Sequence, residues 1–437
     1  MNLTKKIFSI VCLTISTFLL IYVFYKSEIH WNGTRRDYYF IYYLISSALV
    51  LSSIITFYIN EKIKTYLIIT LSSVVFSLYA FEGHLTMGKG LYKKAKLYKQ
   101  QTGKDYDTRT DWEIYNDLKK EDENIVSDIP PKLHLAQEGK FKLFPFSGIS
   151  NSKTIQCNEN GYYAIYQSDR YGFKNPDSEW DKKEIEYLLI GDSMTHGECV
   201  NLPNDIASVL RTLSKKSALN LGYNANGPLI EYATLREYLK PNVKNVLWFY
   251  FEDNDTSDLD DELNSLILNS YLKNLNFTQN LIFKQNEIDE LGIKKIERAR
   301  EKIEKRNNLT FKLLKFIKIF NLRKSIYMSI YEPRPQPQPQ FKEILKLAKE
   351  LSTKNNSNFY FVYLTGYHRY KTTYHHKSYN KVKKIIEELN IPFIDIHKEV
   401  FEKESNPLKL FPFELLGHYN VEGFRKVAEA IHKFISK

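Results

Sequence analysis

Cysteine is scarce in this chain, with three among 437 residues. No two of them form a CxxC pair, which argues against a thiolate metal site. Cys12 lies inside an apolar run, while Cys157 and Cys199 are far apart. Their pairing stays open, and no disulfide framework is implied. Long apolar runs are lacking beyond residue 83, where the chain turns polar and rich in Lys, Asn and Tyr. Internal repeats are absent, as are zinc-finger, RRM and KH patterns. The net charge of +11 alone would allow nucleic-acid binding. The Lys residues, however, are scattered along helices with Glu interleaved, the pattern of a solvated surface. A basic surface is also drawn to anionic membranes. A membrane is therefore the expected partner, and a nucleic acid is not.

The chain begins with three uncharged runs, Ile7–Tyr25, Tyr38–Ile59 and Thr65–Phe81. About 20 apolar residues cross the hydrocarbon core of a bilayer. The first two runs meet that length, and the third is at the short end. Tyr25, Trp31, Tyr38, Tyr39 and Tyr58 sit at the edges, as interfacial aromatic belts do. The first run is too long for a usual signal-peptide core, and no A-x-A-like site follows it. Residues 1–83 are thus expected to be an uncleaved anchor of three helices, about 7–25, 38–59 and 65–81. With Lys5, Lys6, Lys62 and Lys64 cytoplasmic, the bulk of the chain would be periplasmic or at the cell surface.

Residues 84–184 read as a polar stalk, broken at Pro130-Pro131, followed by a small β segment. Asn158-Glu159-Asn160-Gly161 ahead of Tyr162–Tyr166 is its clearest turn signal. From residue 185 strands and helices alternate. The strands are Tyr187–Ile190, Ala218–Leu221, Val243–Phe251, Phe359–Thr365 and Ile391–Ile396. That alternation predicts an α/β domain with a parallel, doubly wound sheet over 185–437. Such sheets bind ligands at the carboxyl ends of their strands. An insertion, 258–340, interrupts the domain with Lys/Glu-rich helical segments. It ends in a Pro/Gln alternation that reads as an extended spacer.

The chemistry centres on Leu188-Leu189-Ile190-Gly191-Asp192-Ser193. A buried strand runs straight into Gly-Asp-Ser, which exposes the hydroxyl beside free backbone N–H groups. A bland helix cap would look the same. Three later blocks decide between them: Asn220-Leu221-Gly222-Tyr223-Asn224-Ala225-Asn226-Gly227, Phe251-Glu252-Asp253-Asn254-Asp255, and Gly417-His418-Tyr419-Asn420. With these blocks in this order, the region 185–437 resembles the SGNH/GDSL hydrolase family. The resemblance implies a three-layer α/β/α, flavodoxin-like fold. It implies Ser193 as nucleophile and His418 as base. The oxyanion would be held by the backbone N–H groups of Ser193 and Ala225 and the side-chain amide of Asn254. This chemistry calls for no cofactor and no metal.

Two departures matter. Ala225 stands where the family has Gly, unless another register puts Gly222 or Gly227 there, and the change keeps a useful N–H only if its φ need not be positive. Leu415 stands where the family has Asp, three residues before the His. Glu414, one residue further off, or a backbone carbonyl is the candidate to orient His418 in a Ser–His dyad. Glu252 replaces the Gly of the third block and brings a charge close to the site. His196 is expected at the pocket mouth as a substrate or surface contact. His368, His375 and His376 fall in a polar loop without a zinc-like spacing.

The implied function is a membrane-anchored serine esterase acting on O-acyl, notably O-acetyl, groups of a cell-envelope glycan. An O-acyltransferase working with a multi-span acyl-donor partner would use the same acyl-enzyme. A weakly catalytic glycan-binding or assembly protein is the rival from another class, favoured by the missing Asp.

Overall fold

The computed structural model describes residues 3–33, 36–87, 89–137, 143–330, 336–371 and 378–436. The chain divides into two compact units, Met1–Gly88 with Leu313–Ser329, and Lys89–Lys312 with Ile330–Lys437.

The first unit includes α1 (Leu3–Phe24), α2 (Arg36–Ile55) and α3 (Glu61–Thr86), with the helical segment Leu313–Ser329 beside them. The helices α1, α2 and α3 are long and apolar enough to cross a membrane. Their outward faces are bare Ile, Leu, Val and Phe. Between α1 and α2 the contact is made by small polar residues. Ser16 Oγ donates to Ser53 Oγ at 3.2 Å, and Ser9 Oγ to the Thr56 carbonyl at 3.2 Å. Small hydroxyl residues at helix contacts are what an apolar solvent favours, since backbones then approach closely.

The second unit starts with α4 (Lys89–Thr102) and α5 (Asp111–Glu121). Thr110 and Glu113 form a reciprocal cap at the start of α5. A small sheet follows, built from β1 (Ile125–Ser127), β2 (Lys153–Ile155) and β3 (Ile165–Gln167). β1 pairs parallel with β2, and β2 pairs antiparallel with β3. The segment 84–184 is therefore helical before it becomes β.

Next come β4 (Ile185–Ile190), α6 (Ser193–His196), α7 (Ile206–Ser214), β5 (Ala218–Asn220), α8 (Pro228–Tyr238) and β6 (Val243–Phe251). α9 (Asp255–Glu262) leads into the insertion, which carries α10 (Leu266–Lys273), α11 (Gln285–Asn307), α12 (Leu309–Ile317) and α13 (Phe320–Ile330). The first residues of the Pro/Gln alternation, 333–335, lie outside the described residues. Its last Pro does not extend a spacer. Pro339 opens α14 (Pro339–Lys354), where its fixed φ and missing N–H suit a first helical turn. The chain closes with β7 (Asn358–Leu364), α15 (His368–Lys371), α16 (Tyr379–Glu388), β8 (Phe393–Asp395), α17 (Ile396–Glu399) and α18 (Val421–Ile435).

The main sheet has the order β5-β4-β6-β7-β8, and every pairing is parallel. All six residues of β4 are buried, as expected of a strand covered on both faces. Leu188, Ile190, Val246, Trp248 and Phe361 pack one face against Leu229 and Ala233 of α8 and Phe341 and Ile344 of α14. Leu189, Leu247, Phe249 and Val362 pack the other against Ile206 and Leu210 of α7 and Phe424, Val427 and Ile431 of α18. This is the expected three-layer α/β/α sandwich. Because β4 leads to β5 on one side and β6 lies on the other, a crevice opens at the carboxyl ends of β4 and β6. The Ser193 and Asn254 blocks follow those two strands.

Candidate active site

Gly191 is required by close packing: a Cβ there would meet Thr195 Oγ1 at 2.1 Å. Asp192 then caps α6, its Oδ1 accepting the Met194 N–H at 2.9 Å. Ser193 is the first residue of α6. His418 lies just ahead of α18, whose start is capped by Asn420 accepting the Gly423 N–H at 2.9 Å. Tyr419 anchors the segment from beneath, its buried hydroxyl donating to the Thr365 carbonyl at 2.6 Å. The result brings His418 Nε2 to 2.9 Å from Ser193 Oγ.

The other imidazole nitrogen has a partner that sequence reasoning missed. His418 Nδ1 is 3.2 Å from Glu159 Oε2, and the same oxygen accepts the His418 backbone N–H at 2.6 Å. The two residues are 259 positions apart. Glu159 sits at the tip of the β2–β3 hairpin, in the turn Asn158-Glu159-Asn160-Gly161. Asn158 Oδ1 accepts the Gly161 N–H at 2.9 Å, the local bond typical of such a turn. Gly161 supplies the positive φ, +94°. Gly417 makes the approach possible, since a Cβ there would lie 2.6 Å from Glu159 Oε2.

Glu414 does not orient His418. Phe413 and Glu414 both take left-handed conformations, each at φ +56°. The Glu414 carboxylate goes to Asn406 Nδ2 at 3.3 Å instead.

A disulfide joins Cys157 to Cys199. It ties the base of the Glu159 turn to the loop leaving Ser193. Asn160 Nδ2 adds a bond to the Cys199 carbonyl at 2.9 Å. Lys174 supports that loop from inside, its buried ammonium donating to the carbonyls of Gly197 and Val200, both at 2.7 Å. Replacing both cysteines by Ser is expected to lower stability in urea by about 2–4 kcal/mol. It should also lower kcat in the surviving fold, because Glu159 loses its tether. A stability loss with an unchanged kcat would show that the hairpin alone holds Glu159.

His196 is not at a pocket mouth. It is fully buried and stacks on Tyr223 with ring centroids 4.5 Å apart. Burial pushes its pKa down to about 4, which keeps it neutral. Asp128, His196 and Glu198 bring donor atoms within 4.8 Å of one another. The buried Lys174 supplies positive charge to this cluster. Glu252 is not a loose charge near the site. It is buried, accepts the Gly366 N–H at 2.8 Å and is paired with Arg369. His375 and His376 lie outside the described residues.

The oxyanion candidates divide. The backbone N–H groups of Ser193 and Ala225 donate to no acceptor among the described residues. Asn254 Nδ2 lies 3.0 Å from Asp258 Oδ2 and 3.4 Å from Asp192 Oδ2, so in this structure its amide serves two carboxylates. Ala225 adopts φ +59°, the conformation its Gly counterpart would tolerate freely. A left-handed L-residue costs about 1–2 kcal/mol, and Gly returns about 0.5–1 kcal/mol of that as chain entropy. Ala225→Gly is therefore expected to stabilise the fold by about 0.5–1 kcal/mol. A urea unfolding midpoint equal to or below that of the parent would contradict a strained Ala225.

Electrostatics favour a charged imidazole. Burial by itself would lower the His418 pKa, but the carboxylate of Glu159, with Glu198 and Asp192 behind it, pushes it up to about 9. Burial would raise the Glu159 carboxyl, yet His418 overrides it and holds it below the usual range. Burial raises Asp192.

No family model matches the chain, and no curated protein does. Solved structures do. One is a lipolytic protein described as of the G-D-S-L family, from Desulfitobacterium hafniense DCB-2, at 14% identity over 57% of this chain and 99% of that one, with a TM-score of 0.33. Another is the acetyl xylan esterase AlAXEase, at 12% identity over 57% of this chain and 100% of that one, with a TM-score of 0.32.

Proposed function

We propose that this protein is a membrane-anchored serine esterase that removes small O-acyl groups from carbohydrate at the cell envelope. The observation that carries the reading is the continuous line Ser193 Oγ, His418 Nε2, His418 Nδ1, Glu159 Oε2. In the proposed reaction His418 takes the Ser193 proton as Oγ attacks the ester carbonyl. The N–H groups of Ser193 and Ala225 receive the oxyanion. Asn254 would join them by turning its amide from Asp192 and Asp258. The tetrahedral intermediate collapses, its bond to the sugar oxygen breaks as the His418 imidazolium protonates that oxygen to a hydroxyl, and an acyl-Ser193 ester remains. Water, deprotonated by His418, releases the acid and restores the hydroxyl. Glu159 balances the imidazolium that forms in both halves.

Leu415 in place of Asp favours a non-catalytic reading; a carboxylate 3.2 Å from Nδ1, that of Glu159, supports the catalytic one. The three apolar helices and the disulfide together support a catalytic domain outside the cytoplasm, where thiols oxidise.

The test is acetate release from O-acetylated polysaccharide by the full chain in detergent, beside His418→Ala. Release by the parent alone supports the reading. Turnover of p-nitrophenyl acetate without release from the polysaccharide would remove the carbohydrate and keep the esterase.

A further inference from the structure

The insertion contributes a segment to the membrane unit that the esterase reading does not use. Leu313–Ser329, the end of α12 and nearly all of α13, clusters with the three apolar helices. Its anchor is the last turns of α3. Glu82 is fully buried, and its carboxylate accepts the backbone N–H groups of Asn321 at 3.0 Å and Leu322 at 2.8 Å. Those are orphan donors at the start of α13, so Glu82 acts as a cap supplied by another helix. Tyr79 donates to the Ile317 carbonyl at 2.8 Å, and its ring lies 5.5 Å from that of Phe316. The segment is thus fastened where α3 gives up its apolar character and the chain turns polar.

What the segment presents is a run of exposed apolar side chains. Leu313, Leu314, Ile317 and Phe320 are 55%, 47%, 51% and 43% exposed. Ile319, left-handed at φ +42°, turns the corner between the two helices. Lys315, Lys318, Arg323 and Lys324 alternate with these apolar residues, and no Asp or Glu occurs from 305 to 331. Apolar side chains on one face with cations beside them are the signature of a helix lying in the headgroup layer. Long Lys and Arg stems let the charge reach the phosphates while the apolar face sinks.

We propose that α12 and α13 form an interfacial lipid-binding surface selective for anionic phospholipid headgroups. The occupant follows from two observations. The surface is continuous with helices long and apolar enough to cross a bilayer, and its charge is of one sign. Each cation near an anionic membrane is worth about a fivefold preference, so the four together give a strong local enrichment of anionic lipid.

The test uses the full chain in nanodiscs of equal phosphatidylcholine and phosphatidylglycerol. A nitroxide at Leu314→Cys, in a Cys12→Ser background, is expected to be relaxed by oxygen and sheltered from an aqueous nickel chelate. Lipid kept after mild detergent extraction is expected to favour phosphatidylglycerol by about fivefold or more. That ratio should fall to near parity when Lys315, Lys318, Arg323 and Lys324 are all changed to Gln. A nitroxide reached by nickel as in water would overturn the proposal. So would a nitroxide sheltered from both reagents, since a protein would then cover the face. Correct depth with no preference between the lipids would overturn the anionic selectivity.

Discussion

Ser193→Ala is expected to lower kcat for p-nitrophenyl acetate by about 10⁶-fold, close to the limit set by the site without its nucleophile. The substitution should leave the fold alone. Ser193 opens a helix whose cap is Asp192, not Ser193 itself, and Ala is at ease in a helical turn. The lost atom is Oγ, held 2.9 Å from His418 Nε2. Residual turnover of about 10³–10⁴ over water is expected where an oxyanion hole survives. Steady-state kinetics on purified full chain, beside the far-ultraviolet circular dichroism of both proteins, checks this. Equal turnover by parent and variant, both folded, would mean that Ser193 is not the nucleophile and would take the esterase reading with it.

Glu159→Gln carries the second large effect, a fall in kcat of about 10⁴-fold, the cost of losing the orienting carboxylate in a serine hydrolase. Gln keeps the shape and can still accept the His418 backbone N–H. It loses the charge that stabilises the imidazolium. The pH profile separates this role from a structural one. An imidazole can take a proton only when neutral, so with His418 as the proposed base kcat/KM of the parent should climb with pH until about 9, where His418 loses its proton. Without Glu159 the rise should move to lower pH, since the carboxylate that does most to raise the imidazole is gone. Glu198 and Asp192 remain and limit the movement. A lower kcat with an unmoved profile would assign Glu159 to support of the fold. Glu414→Gln serves as the control and should leave both kcat and the profile unchanged, because its carboxylate bonds to Asn406.

Much of the site is legible in the sequence because its parts follow local rules. Ser193 follows a run of buried aliphatics by way of Gly191 and Asp192, residue types that end a strand and turn the chain. Asn254 and His418 each stand at the junction of two elements whose hydrophobic patterns are clear. Glu159 is different. Its neighbours Asn158, Asn160 and Gly161 announce a turn, and nothing near it announces a catalytic partner. The signal that would have found it is the pair of cysteines. Cys157 sits just before Glu159 and Cys199 just after the Ser193 block, so a bridge between them puts Glu159 beside Ser193. His196 differs for a related reason. Its position after Ser193 suggests exposure, but Tyr166 of the β2–β3 hairpin and Tyr223 cover it.

By itself the sequence determined the three apolar helices, the alternation that builds a parallel sheet, and the order of the Ser193, Ala225, Asn254 and His418 blocks. Each of these depends on hydrophobic period, run length or turn chemistry within a few residues. Only the tertiary structure decided that Glu159 faces His418 and that Glu252 is neutralised by Arg369. It also decided that Asn254 gives its amide to two carboxylates and that Ala225 stands left-handed. Those outcomes arise where segments far apart in the chain meet in the interior. There, burial makes every charge seek a partner, and the available partner is set by packing rather than by adjacency in the chain.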